Sequence, residues 1–134
     1  MKKCCLTALA ALLVFGSCST QPKNPTDDFT LRSQAEASLK LGITEADRNN
    51  YNAALQLLTE CKRQAVLTDD PSLMIRSGLS LGNVIFALGR REDAFKEWED
   101  AVSLAEELKD RELLSISKIH LLRGNLLSGK ENAQ

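Results

Sequence analysis

Leu39-Lys40-Leu41-Gly42 returns as Leu79-Ser80-Leu81-Gly82, an offset of 40 residues. The same offset aligns Ala54-Leu55 with Ala94-Phe95, Leu58 with Trp98, Cys61 with Ala101 and Asp70 with Asp110. A further step aligns Leu73-Met74 with Leu113-Leu114, Leu79 with Ile119, Leu81 with Leu121 and Gly89 with Gly129. An internal repeat of this size marks a stack of like units, none of which buries its apolar face alone.

The unit itself is clearest between Gly78 and Ala101. Leu79, Leu81, Ile85, Phe86 and Leu88 fall mostly at helical spacing, and Ala94, Phe95, Trp98, Ala101 and Val102 do the same after a break. Gly89 supplies the stop, and Glu92 and Asp93 fall in the first turn of the next helix, where they oppose its dipole. Gly82 and Ala94 are small residues in bulky faces, which lets two helices cross at close range. Thr68-Asp69-Asp70-Pro71 is a second strong boundary, a capping residue followed by proline at the first helical position.

These signals predict five helices, over about 29–47, 51–67, 71–88, 91–108 and 112–128, with Gly129 ending the last and 130–134 left as a tail. Inward positions are Leu31, Ala35, Leu39, Leu41 or Gly42, and Ala46 on the first helix, then Ala54, Leu55, Leu58, Cys61, Ala65 and Val66 on the second. The fold class is all-α, a short α-solenoid of antiparallel helical hairpins.

The first 28 residues have another logic. Met1-Lys2-Lys3 is a basic start, and Leu6 to Phe15 is apolar but too short to span a bilayer as a helix. Phe15-Gly16-Ser17-Cys18 resembles the lipobox of bacterial lipoproteins, with Phe15 where an aliphatic residue is usual. The resemblance implies a signal peptide over 1–17, lipidation of Cys18, and a membrane anchor. Ser19 to Asp28 has two prolines and no apolar residue, a solvated tether with a reach of about 30 Å. Cys4 and Cys5 would leave with the leader, and Cys61 would remain as a small packing residue with no partner for a disulfide. Without Lys2 and Lys3 the chain has 15 basic and 18 acidic residues and no long basic tract, which argues against nucleic acid as a partner.

The repeating helices resemble the tetratricopeptide repeat family. The central repeat carries Leu81, Gly82, Ile85, Ala94, Trp98 and Ala101 at that family's spacing, with Gly78 where an aromatic is usual. The first supplies Leu41, Gly42, Ala54, Leu58 and Cys61, with Glu45 in a usually bulky slot; the third has Leu121 but Leu122 in place of glycine. The resemblance covers Leu31 to Ser128 and implies about two and a half repeats, with helices longer than in the usual repeat of about 34 residues. It also implies a groove lined by the first helix of each hairpin. Projected onto this chain, the groove takes Glu36, Leu39, Lys40, Ile43 and Asp47, then Arg76, Leu79, Ser80, Asn83 and Phe86, then Ile116, Ile119, His120, Arg123 and Leu127. Leu79 and Ile119 serve equally well as core residues. Some members grip a peptide carboxylate with a Lys and Asn clamp; Gly82-Asn83 matches part of it, but Leu79 stands where the lysine would be.

No catalytic constellation is present. His120 is the single histidine, has no evident partner in sequence, and cannot build a usual zinc site with one retained cysteine. Glu92-Asp93, Glu97, Glu99-Asp100 and Glu106-Glu107 alternate with Lys96 and Lys109, the pattern of a solvated helix face. No cofactor is implied. The expected function is a lipid-anchored, periplasm-facing adaptor in the bacterial envelope, binding a peptide segment or helix of a protein partner. Ser19 after the lipidated cysteine favours the outer membrane. The alternative is a carrier of a small apolar or anionic ligand, accessory to a transporter. Apolar residues spread around the last helix, so docking on a partner or on a second copy is expected there.

Overall fold

Four short turns set the fold, and all four are built alike. The computed structural model describes residues 25–131, with side chains from 27 to 129; the expected leader, Cys18, most of the tether and residues 132–134 lie outside the described residues. The chain forms α1 (Pro25–Asp47), α2 (Tyr51–Leu67), α3 (Pro71–Ala87), α4 (Arg91–Leu108) and α5 (Arg111–Glu131). Each turn holds one residue in the left-handed region, at Asn49, Asp69, Gly89 and Lys109. The next residue's N–H then reaches back five positions, from Asn50 to Glu45, Asp70 to Ala65, Arg90 to Ile85 and Asp110 to Ala105, at 2.8–3.3 Å. This is the Schellman closure, which satisfies carbonyls a helix end leaves open. The true unit is therefore one helix and one turn of 20 residues, half the offset visible in the sequence.

Consecutive helices pack as antiparallel neighbours, and α1–α3 and α3–α5 also touch. The backbones of α2 and α4 stay apart, so α1, α3 and α5 form one layer and α2 and α4 the other. The result is a short all-α helical repeat array. Asp70 caps α3, accepting from the Leu73 N–H at 3.0 Å, and Asp110 caps α5 by accepting from Glu112 and Leu113 at 3.0 Å each.

The core follows the small residues. Ala54, Leu58, Cys61 and Ala65 form the buried stripe of α2, and Ala94, Trp98, Ala101 and Ala105 form the matching stripe of α4. On α3, Leu81 and Gly82 are buried, as Gly42 is on α1. A Cβ at Gly42 would stand 2.7 Å from Leu58 Cγ, and one at Gly82 would stand 2.7 Å from Trp98 Cδ1. Both glycines exist to let a partner side chain lie on the backbone.

Several expectations need correction. Leu41 is 49% exposed and does not pack the repeat. The corresponding face of α3, carrying Ser77 and Leu81, is buried, with Ser77 beside Cys61 of α2; among the described residues no helix precedes α1. Val66 is also exposed, because the stripe continues from Ala65 to Thr68 and Val66 lies one residue out of phase. Leu88 is partly exposed at the end of α3. α1 begins at Pro25, four residues before the expected start, with proline at its opening and Asp27 and Asp28 in its first turn. α5 runs through Gly129 to Glu131 instead of stopping there.

Candidate functional site

Trp98 organises the place where the projected groove residues of α3 and α5 meet; those of α1 meet Arg76 in a separate recess. Its side chain enters from α4 between α3 and α5, and its indole N–H donates to the Leu79 carbonyl at 3.3 Å. Phe86 lies at 5.5 Å and Phe95 at 5.4 Å between ring centroids, with the Phe95 ring edge-on. The aromatic group brings its own geometric preference to a face otherwise made of aliphatic and small residues. Arg91 stands over the Phe86 ring at 5.9 Å.

Above this floor lies a cleft of about 200 Å³, lined by Asn83, Phe86 and Ala87 of α3, Trp98 of α4, and His120, Arg123, Gly124 and Leu127 of α5. Asn83 and His120 close its upper end: His120 Nδ1 and Asn83 Oδ1 are 3.0 Å apart, so the Nδ1–H donates to the amide oxygen. Burial in this setting, then the nearby Arg123 guanidinium, pushes the His120 pKa below its ordinary 6.5. The imidazole is therefore neutral at pH 7. No carboxylate lines the cleft. It presents a cation, an amide and an imidazole beside an aromatic wall, the chemistry of a site for an anionic group attached to an apolar one.

The projected positions divide clearly. Asn83, Phe86, His120, Arg123 and Leu127 share the cleft. Leu79 does not: it is 5% exposed and belongs to the core, because its face of α3 seats Trp98. Ile119 is 61% exposed and points away from the cleft lining. Arg76 is exposed and borders another recess, with Ser33, Glu36, Lys40 and Ile43. Three contributors had no place in the projected groove: Ala87 on the wall, Trp98 as floor and Gly124 as the gap that admits it. A glycine in the middle of a predicted helix is the one signal for the last.

The remaining candidates for chemistry are accounted for structurally. Cys61 is fully buried, and burial raises its thiol pKa, the state of an unreactive packing cysteine. Glu97 pairs with Lys62 of α2 at 2.5 Å, Asp93 with Arg90 and Glu106 with Lys118 of α5, so three of the α4 carboxylates are held in ion pairs. Among the described residues no group of His, Cys, Asp and Glu is arranged to hold a metal, and no helix is long and apolar enough to cross a membrane. A scan against protein-family models finds no match, and searches of curated proteins and of solved structures find no relative.

Proposed function

We propose that this protein is an adaptor that binds a segment of another protein in the cleft between α3 and α5. The observation that supports this reading is the convergence of Asn83, Phe86, His120 and Arg123, from helices 37 residues apart in sequence, on one aromatic-floored recess. The recess is open and holds about 200 Å³, below the roughly 300–1,000 Å³ of sites that enclose a small molecule. Its size suits one or two side chains of a longer segment. Arg123 and the Asn83–His120 pair favour a carboxylate on that segment, and Phe86, Trp98 and Leu127 favour an apolar neighbour.

The tetratricopeptide resemblance and the lipobox-like Phe15-Gly16-Ser17-Cys18 extend the proposal. The chain would be a tetratricopeptide-like lipoprotein, acylated at Cys18, facing the periplasm, with the outer membrane its membrane. Anchoring would raise its effective concentration for partners at the same surface.

Crosslinking capture from native membranes tests this, with wild type compared with Arg123→Glu and a Cys18→Ala control. A defined protein retained by wild type and lost from a folded Arg123→Glu variant is the expected result. Retention of the same proteins by both would refute the cleft as the binding site.

A further inference from the structure

α5 shows three faces, and among the described residues only two have partners. Leu113, Ser117, Leu121 and Gly124 face inward, with Gly124 on the Trp98 ring; His120, Arg123 and Leu127 line the cleft. The third face carries Ser115, Ile119, Leu122 and Leu126, and its three apolar residues are 61%, 62% and 68% exposed. One repeat earlier the same positions are Ile75, Leu79, Gly82 and Phe86, the face with which α3 receives α4. α5 thus exposes the face on which the array seats its next helix.

The opposite end of the array says what covers it. The outward face of α1 carries Ser33, Gln34, Ala37, Leu41 and Thr44, mostly polar or small, with Leu41 partly exposed and Phe29 exposed at its N-terminal edge. Head-to-tail stacking would set the apolar face of α5 on this polar one, whereas pairing α5 with α5 sets apolar on apolar and closes on itself. From this we infer that the protein forms a two-fold homodimer through α5. Ile119, Leu122 and Leu126 recur at intervals of three and four residues, the spacing of a knobs-into-holes seam. With the two helices antiparallel, Ile119 of one copy meets Leu122 of the other, and Leu126 meets Ser115. Flanking positions then pair Lys118 with Asn125 and Ile116 with Arg123, so no like charges are opposed. Leu122 also excludes a copy of the α3–α4 arrangement, since α3 has Gly82 there to admit an indole.

The exposed parts of Ile116, Ile119, Leu122, Leu126 and Leu127 offer on the order of 500 Å² per copy, so pairing buries about 1,000 Å² in total, at the lower bound for a specific interface. A reversible dimer follows, with two clefts beside its seam. The inference does not depend on the adaptor reading: the apolar centre of the seam, Ile119, Leu122 and Leu126, lies outside the cleft lining, and only Arg123 and Leu127 border both surfaces.

Sedimentation equilibrium and light scattering of the full chain across a wide concentration range test it. The expected result is a mass that doubles with concentration and a Leu122→Glu variant that stays monomeric with an unchanged melting temperature. An Ile119→Lys variant should behave alike, guarding against a special effect at one position. A wild type that stays monomeric throughout, a Leu122→Glu variant that still dimerises, or open-ended growth to larger species would each overturn the proposal. So would a seam covered by the apolar Leu6 to Phe15 stretch, seen as dimerisation that appears only when that stretch is removed. Loss of partner capture in Arg123→Glu with the dimer intact would separate the two readings.

Discussion

Gly124 of α5 lies against the benzenoid edge of Trp98, while Gly82 of α3 meets the pyrrole edge of the same ring. The indole is held in a gap that two missing side chains create, and it ties α3, α4 and α5 into one unit. A Cβ at Gly124 would come within 3.1 Å of Cε3 and closer still to Cζ3. Gly124→Ala and Gly82→Ala should each destabilise the fold by about 1–3 kcal/mol, as overpacking does. Gly129 has nothing within 4 Å, so Gly129→Ala should stabilise α5 by about 0.5–1 kcal/mol. Urea unfolding of the three variants checks both signs. Adding Trp98→Leu to Gly124→Ala should cost less than the sum of the two single changes, because the clash is then gone.

The caps of α3 and α5 offer a second test. Asp70 accepts from the Leu73 N–H and also pairs with Arg32 at 3.3 Å, whereas Asp110 accepts two backbone N–H groups. Replacing either by alanine should cost about 1 kcal/mol. Hydrogen exchange should speed up in the first turn of α5 for Asp110→Ala and in the first turn of α3 for Asp70→Ala.

The turns predict opposite signs for two substitutions. Gly89 has φ +80° and Lys109 has φ +57° in equivalent places. A side chain in the left-handed region costs roughly 1–2 kcal/mol. Gly89→Ala should therefore destabilise by about 1 kcal/mol, and Lys109→Gly should be neutral or stabilising by a few tenths of a kcal/mol once glycine's extra unfolded-state entropy is set against the relief. Thermal melts of the pair decide it.

His120 predicts a pH dependence. Its folded pKa lies below the ordinary 6.5, so between that value and the lowered one the unfolded chain binds more protons than the folded chain. The stability contributed by the neutral imidazole is present above pH 6.5 and is lost as pH falls through the window. His120→Gln should flatten this part of the stability profile. Partner binding should run the other way: a carboxylate in the cleft favours the imidazolium, so affinity should rise as pH falls over the same range. Calorimetry in buffers of different ionisation enthalpy would detect the proton taken up.

Helix boundaries were legible wherever turn chemistry and apolar phase agreed, as at Tyr51–Leu67 and Arg91–Leu108. Gly82 also read correctly as a close crossing because it sits in a bulky face, and Gly42, its repeat-mate, packs in the same way. Position in the stack was harder to read. Leu41 matches Leu81 residue for residue, yet one is exposed and the other buried, since burial depends on whether a helix lies on the outer side. Leu79 shows the reverse limit, a position that faces the groove by resemblance but faces Trp98 in this chain. The 20-residue unit was hidden because alternate helices bury different residue types, and only one of its four left-handed positions is glycine.

The central claim is that the cleft between α3 and α5 is where a partner protein binds. A photo-crosslinking amino acid placed at Ala87, on the cleft, and separately at Ser103, in the recess formed with Lys62, Met74 and Gly78, tests it most directly. The account predicts one defined protein adduct from position 87 in membranes, abolished by Arg123→Glu, and none from position 103. An adduct confined to position 103, or an adduct at 87 unaffected by Arg123→Glu, would contradict it.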